Sequence, residues 1–350
     1  MRDGEVTKTI SASKSKTCEL DPLPTDVLKQ FLPELLPFIT DMCNASLQQG
    51  CLPLSQRRAI IIPRLKKSNL DQADVKNYRP VSNLTFMSKV IERLVCRQLT
   101  AFLNENNLLP RNQSAYRPRH STETAVLKVV SDLLAASERG QVSLLALLDL
   151  SAAFDTVDHS ILLDRLQSAF GINGTVLNWM KSFVSDRCQS VRFDGGSSTE
   201  TGVVCGVPQG SVLGPILFLL YCADIVNIAE RCGVSVHSYA DDTQLYVHCK
   251  ATDCSVEARR LTTCIEQLNS WMISNRLKLN ADKTQFLWCG SAQQRRKISV
   301  KELVVMGHRL TVSDNVTCLG VLIDADLSFA LHVKRTSARC FYTTFASYGQ

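Results

Sequence analysis

Residues 142–151 read VSLLALLDLS, a continuous apolar run of strand length. A strand with one wet face alternates apolar and polar side chains. A run that is apolar almost throughout needs cover on both of its faces. This stretch therefore predicts an interior strand of a sheet, in a chain able to cover it from two sides. The 350 residues, 45% hydrophobic and 21% charged, are enough for one large domain or a domain with subdomains. The strand also ends on a charge. Asp149 follows Leu148, and an ionised carboxylate at the edge of a core is costly unless it is paired.

A second acidic feature lies 92 residues further on, where SVHSYADDTQLYVH fits a hairpin over residues 234–249 with Asp241 and Asp242 at its turn. A tight turn can project both side chains outward. If this hairpin and the 142–151 strand are neighbours in one sheet, three carboxylates converge. Such a cluster calls for a counter-charge, and Mg²⁺, which takes hard oxygen ligands and substrate phosphates, is the natural one. Two such ions about 3.5–4 Å apart hold the attacking and leaving oxygens of a phosphoryl displacement. Taken separately, the acids also fit a blander reading: Asp149 as a strand end, Asp241–Asp242 as a polar turn.

The rest of the chain frames these elements. Residues 1–20 are polar and predict a disordered N-terminus. Helical spacing is expected over 21–50, 83–107 and 121–140, the last opening with Ser/Thr and Glu in the manner of a capping box. RRAIIIPRLKK (57–67) is a β-branched run framed by basic residues. VDHSILLDRLQSAFG and GTVLNWMKSFVSD read as helices, and 189–206 as a hairpin with a Gly-Gly turn. A single apolar helix is expected over 211–230, another helix over 254–278, then strands to about residue 323. The order predicts a mixed α+β chain without regular βαβ alternation.

Composition narrows the classes further. The net charge of +6 permits a polyanionic partner without requiring one. The 14 cysteines are scattered, with no CxxC pair and no zinc spacing, which points to a reducing compartment. No secretory signal is visible, and the longest apolar stretch, from Pro215, is far below the ~20 residues of a membrane span. The chain is expected to be intracellular, in the nucleus or cytoplasm, and not secreted.

A third chemical motif is GVPQGSVLGPILFLLY (206–221). Gly206, Pro208 and Gly210 crowd before a helix, where glycine lets a backbone approach another molecule closely, and Gln209 offers a donor and an acceptor in mid-turn. Taken with LLDLSAAFDTVDH (147–159) and YADDTQLY, in that order, it resembles the palm motifs of reverse transcriptases, in particular those of non-LTR (LINE-type) retrotransposons. NYRPVSNLTFMSKVIERLVCRQL (77–99) and NQSAYRPRHSTETAVL (112–127) are similar to the family's fingers segments. WMISNRLKLNADKTQFLWCG (271–290) resembles the motif after the palm aspartates, and VTCLGVLIDADLSF (316–329) the turn that grips the primer. The resemblance covers about 21–330.

The resemblance implies an α+β right-hand polymerase fold, with a small antiparallel palm sheet flanked by helices. Fingers would span 21–140, the palm 141–290, and a primer-grip hairpin with the start of a truncated thumb 291–350, the whole forming one reverse transcriptase domain over about 55–323. It implies RNA-directed DNA polymerase activity: transfer of a nucleotide from a dNTP to a primer 3′-hydroxyl on an RNA template, assisted by two Mg²⁺ ions, with Mn²⁺ as a substitute. Asp149, Asp241 and Asp242 would hold the metals. Lys283 would protonate the leaving pyrophosphate, though it reads equally as a solvated lysine at a strand start. Phe154 would sit under the incoming sugar and exclude a 2′-hydroxyl. Gln209 would touch nucleotide and template, and Arg79 and Arg64 the triphosphate, although Arg64 also fits an ordinary surface charge. Arg117, Arg119 and Gly210 would meet the template, and Leu319 and Gly320 the primer. Full-length elements of this kind are longer and carry an endonuclease. The shorter chain leaves a second reading open: an inactive retroelement remnant that at most binds nucleic acid. A two-metal phosphatase or nuclease is a third reading, which leaves the fingers-like segments without a purpose.

Overall fold

The computed structural model describes the backbone of residues 1–347 and the side chains of residues 1–341. The last three residues of the 291–350 segment lie outside the described residues. In chain order the helices are α1 (Asp3–Ser11), α2 (Thr25–Gln30), α3 (Leu32–Gln49), α4 (Phe86–Glu105), α5 (Thr122–Glu138), α6 (His159–Ser168), α7 (Gly174–Val184), α8 (Gly214–Tyr221), α9 (Asp224–Arg231), α10 (Cys254–Ser274), α11 (Ala292–Arg295) and α12 (Ala330–Ser347). The strands are β1 (Arg58–Leu65), β2 (Tyr78–Asn83), β3 (Val142–Leu148), β4 (Arg187–Phe193), β5 (Gly196–Ser197), β6 (Thr201–Val203), β7 (Ser235–Tyr239), β8 (Asp242–Cys249), β9 (Gln285–Cys289), β10 (Glu302–Val305), β11 (His308–Thr311), β12 (Asn315–Cys318) and β13 (Val321–Asp324).

The chain divides into two compact units, each made from two stretches: Met1–Leu109 with Phe154–Cys222, and Pro110–Ala153 with Ala223–Gln350. This differs from the linear division at 21–140 and 141–290, because each unit closes its core with residues distant in sequence.

In the first unit, β1 pairs antiparallel with β2 and parallel with β4, and β4 continues to β5 and β6. Residues 3–11, expected to be disordered, form α1, with Val6 and Ile10 fully buried. One apolar pair at i, i+4 is too brief a signal to stand out in a polar segment, yet it is enough to seat one side of a short helix against α3 and α4. The hairpin in 189–206 turns through Asp194 and Gly195, both at positive φ, rather than through Gly195 and Gly196. Gly196 is already paired with Phe193, and Asp-Gly is a favoured two-residue hairpin turn.

The second unit holds the sheet β7-β8-β3-β9, antiparallel throughout. β3 lies inside it, hydrogen-bonded to β8 on one edge and β9 on the other. Leu145, Tyr246, Leu287 and Cys289 share one face with Val126, Val129, Val130 and Leu133 of α5 and with Val316, Cys318 and Ile323 of the β12–β13 hairpin. Burial pushes the Cys289 and Cys318 thiols up to about 12, so both serve as small hydrophobes. Leu144, Ala146, Val247 and Phe286 alternate to the opposite face, and α10 packs on β8. Cover on both faces is the reason β3 is apolar but for Ser143, whose buried hydroxyl pairs with His248 Nδ1 at 2.7 Å. α5 is capped by Ser121, whose reciprocal partner is Thr124 rather than a glutamate. The apolar run 211–230 is two helices, α8 and α9, and the boundary between the two units falls at the break, between Cys222 and Ala223.

Candidate active site

The β3–β8 ladder decides where the acids go. Its last pair is Leu148 with Thr243, so the next position sets Asp149 across from Asp242, on the same face of the sheet. Tyr239 pairs with Asp242, which leaves Ala240 and Asp241 as the two residues of the β7–β8 turn. Three carboxylates from two strands and one turn thus gather at one end of the sheet.

Their electrostatics match this crowding. Burial first, then the charges of Asp241 and Asp149, push the Asp242 carboxyl up to about 6, while Lys283 pulls it down. The Lys283 ammonium donates to Asp149 Oδ2 at 3.0 Å. Backbone bonds carry Lys283 there: Asn280 N–H donates to the Asp149 carbonyl at 2.9 Å, and Ser151 N–H to that of Lys278 at 2.9 Å. The stretch before β9 is therefore laced to the stretch after β3. Lys283 is a counter-charge to Asp149, with its side chain still largely open to solvent.

Hard carboxylate oxygens bearing excess negative charge are the donor set that a Mg²⁺-type ion takes. The residues fit that ion in chemistry and in register. Among the described residues no group of three or more His, Cys, Asp or Glu side chains is placed to hold a metal as it stands.

Two further predicted elements lie in this unit. Leu319 and Gly320 form the β12–β13 turn at φ 47° and 87°. A leucine in the left-handed region costs about 1–2 kcal/mol, a strain that marks turns of functional weight. The Asp242 charge also raises the pKa of Cys318, the residue before this turn. Arg117 is partly committed: its Nη1 donates to the carbonyls of Pro110 and Gln113 at 2.9 and 3.0 Å, bracing its own loop. Arg119 is exposed at φ 65°.

The remaining predicted residues belong to the first unit. Phe154 stacks on Phe218, ring centroids 4.6 Å apart. Gln209 donates its side-chain amide to both oxygens of Asp155 at 2.8 Å. Its carbonyl accepts from Ser82 N–H at 2.7 Å, which ties the loop to β2. Gly210, at φ 115°, runs so close to β2 that a Cβ would lie 2.8 Å from the Ser82 carbonyl oxygen. Gly206 is as tight against the Asp155 carbonyl, also at 2.8 Å. Here the glycines bring two backbones of the same chain together. Arg64 and Arg79 are register partners across β1–β2, and both are exposed.

Sequence reasoning passed over three residues. Asp155 fixes the Gln209 amide. Glu92, fully buried in α4, accepts from Val212 N–H at 2.6 Å, Leu213 N–H at 3.1 Å and Ser88 Oγ at 3.1 Å, and so pins the backbone just after Gly210. An acid on the buried stripe of Ser88, Val95, Leu99 and Leu103 was a visible signal. The third, Gln113, had no local signal.

The family model described as "Reverse transcriptase (RNA-dependent DNA polymerase)" matches residues 65–323. The chain is 28% identical over 342 residues to "Probable RNA-directed DNA polymerase from transposon BS" of Drosophila melanogaster, covering 96% of this chain and 37% of that protein. It is 30% identical over 337 residues to "RNA-directed DNA polymerase from mobile element jockey" of Drosophila funebris, covering 94% of this chain and 36% of the relative. The chain thus spans little more than a third of the length of these relatives. Among solved structures, an apo telomerase from Candida tropicalis, truncated from the C-terminal domain, superposes with a TM-score of 0.52 at 12% identity, over 83% of this chain and 60% of the telomerase chain. That likeness supports the right-hand polymerase fold.

Proposed function

We propose that this chain, which belongs to the reverse transcriptase (RNA-dependent DNA polymerase) family and is related to non-LTR retrotransposon polymerases, extends a DNA primer on an RNA template. The observation that carries the reading is the β3–β8 ladder, which runs to Leu148–Thr243, one position short of Asp149 and Asp242, with Asp241 in the adjoining turn and the charges of Asp149 and Asp241 both acting on Asp242. Asp149, Asp241 and Asp242 would hold two divalent cations. When bound, these lower the pKa of the primer 3′-hydroxyl and neutralise charge on the leaving pyrophosphate.

The chain's own residues supply the rest. The Lys283 ammonium offsets the acid charge through Asp149 and would serve as proton donor to a leaving oxyanion. Gln209, its side-chain NH₂ oriented by Asp155, keeps its side-chain Oε1 for a nucleotide or template partner. Arg79 and Arg64 form a planar-donor pair suited to a triphosphate. Exposed Arg119 serves the template side, with Arg117 bracing the same loop and Gly210 holding the Gln209 loop against β2, and the strained Leu319–Gly320 turn serves the primer side.

The test is dNTP incorporation on poly(rA)/oligo(dT) with Mg²⁺ or Mn²⁺. Template-dependent extension is expected. Folded protein that incorporates nothing overturns the reading and leaves a non-catalytic nucleic-acid binder. Phe154 gives a second check. Its ring is held flat by Phe218, so Phe154→Val is expected to relax discrimination against ribonucleotides by roughly tenfold or more. The measurement is the ratio of kcat/KM for dTTP and UTP, and an unchanged ratio removes Phe154 from the sugar site.

A further inference from the structure

The turn that carries Asp241 is strained, and one distant side chain holds it. Ala240 lies between Tyr239 and Asp241 at φ 57°, a left-handed conformation that an alanine adopts at a cost. Such a conformation persists where its surroundings over-determine it. Gln113, 127 positions earlier and buried, meets this residue from the loop before α5. Its Oε1 accepts from Ala240 N–H at 3.0 Å and from Ala115 N–H at 3.0 Å, and its Nε2 donates to the Ala240 carbonyl at 3.3 Å. One amide orientation satisfies all three bonds; the flipped amide would set an NH₂ against two N–H donors.

The contact is built into the fold on both sides. Ser238 N–H donates to the Asn112 carbonyl at 2.7 Å and Ser114 N–H to the Ser238 carbonyl at 2.9 Å, a short parallel bridge beside the turn. Ser114 Oγ meets His237 Nε2 at 3.0 Å, and His237 Nδ1 meets Gln244 Oε1 at 3.1 Å. Arg117 grips the Gln113 carbonyl.

We propose that Gln113 is a positioning residue for the acidic turn: by clamping both backbone polar groups of Ala240 it holds the left-handed conformation that aims Asp241 toward Asp149 and Asp242. The role rests on the polymerase reading, in which these acids hold divalent cations. Gln113 touches neither substrate nor metal and acts through the turn.

The test uses Mn²⁺ binding by the protein alone, followed by electron paramagnetic resonance, beside the Mg²⁺ dependence of primer extension. Gln113→Ala is expected to bind Mn²⁺ about tenfold more weakly and to need about tenfold more Mg²⁺ for half-maximal extension, as for other residues that orient metal ligands indirectly. Adding Ala240→Gly, which removes the left-handed strain, is expected to recover most of the Mn²⁺ affinity. Wild-type affinity in Gln113→Ala, or no recovery in the double variant, overturns the proposal. Should Gln113→Ala fail to fold, amide hydrogen exchange in the wild-type protein decides. Ala240 N–H is expected to be protected as strongly as the β8 amides, and exchange at the rate of an open turn overturns the clamp. A wild-type protein that binds Mn²⁺ but extends no primer defeats the polymerase reading alone, and the binding and exchange results still decide the role of Gln113.

Discussion

Asp149→Asn and Asp241→Asn are each expected to lower primer extension by about a thousandfold or more, and Asp242→Asn is expected to do so while also making the protein more stable at pH 8. The first effect follows from the charge each acid contributes to holding the divalent cations; several kcal/mol of transition-state stabilisation is a factor of about 10³ in rate. The second follows from the sign of the Asp242 shift. Its folded-state pKa, pushed up to about 6 by burial and by Asp241 and Asp149, lies above the ordinary carboxylate value. Ionising it in the folded state is therefore unfavourable. This destabilisation is full above pH 6, fades as the pH falls through 6, and is gone below about 4. Asp242 is partly desolvated but keeps part of its surface in solvent, which screens the interaction, so the gain from Asn is set at about 1 kcal/mol rather than the full shift. Thermal melts in metal-free buffer should show Asp242→Asn above wild type by roughly 1–3 °C at pH 8 and level with it at pH 4. Loss of activity with a gain of stability separates a site residue from a scaffold residue. A variant that loses both, or keeps its activity, contradicts the assignment.

Glu92→Ala is expected to have the largest effect on folding. Removing the carboxylate strands the N–H groups of Val212 and Leu213 in the interior of their unit and takes a charge from near buried Arg187. Burial already depresses the Arg187 guanidinium to about 10, and the charge of Glu92 works against that fall. Leaving two buried N–H donors without an acceptor costs about 1–3 kcal/mol each, enough to unfold a marginal unit. Glu92→Gln keeps the volume and an acceptor oxygen, so a smaller loss of roughly 1–2 kcal/mol is expected. Urea unfolding of the two variants measures the difference. Near-wild-type stability in Glu92→Ala shows that the loop after Gly210 is held without it.

How much could be read in advance depended on the range of the forces involved. β3 was legible because burial on both faces leaves Ser143 as its one polar residue. The β7–β8 hairpin was legible because a turn with acids between two β-rich runs is a local pattern. α1 was missed because its apolar signal is two side chains, Val6 and Ile10, whose value depends on the helices they meet. The break between α8 and α9 was missed because the run is apolar on both sides of it and Cys222–Ala223, which separates the helices, holds no breaker residue.

The same division runs through the site. Asp149, Asp241 and Asp242 announce themselves in the sequence, since acids beside apolar strands need an explanation that local structure does not supply. Phe154 and Gln209 stand inside short motifs that can be matched by eye. What the tertiary structure decided is how these residues are held: Asp149 and Asp242 by a ladder joining strands about ninety residues apart, Lys283 by the backbone bonds of Asn280, Gln209 by Asp155, and the Asp241 turn by Gln113. The reason is physical. A charge placed in a core declares itself from its neighbours in the chain, whereas a hydrogen bond between residues 127 positions apart exists only once the backbone has brought them together.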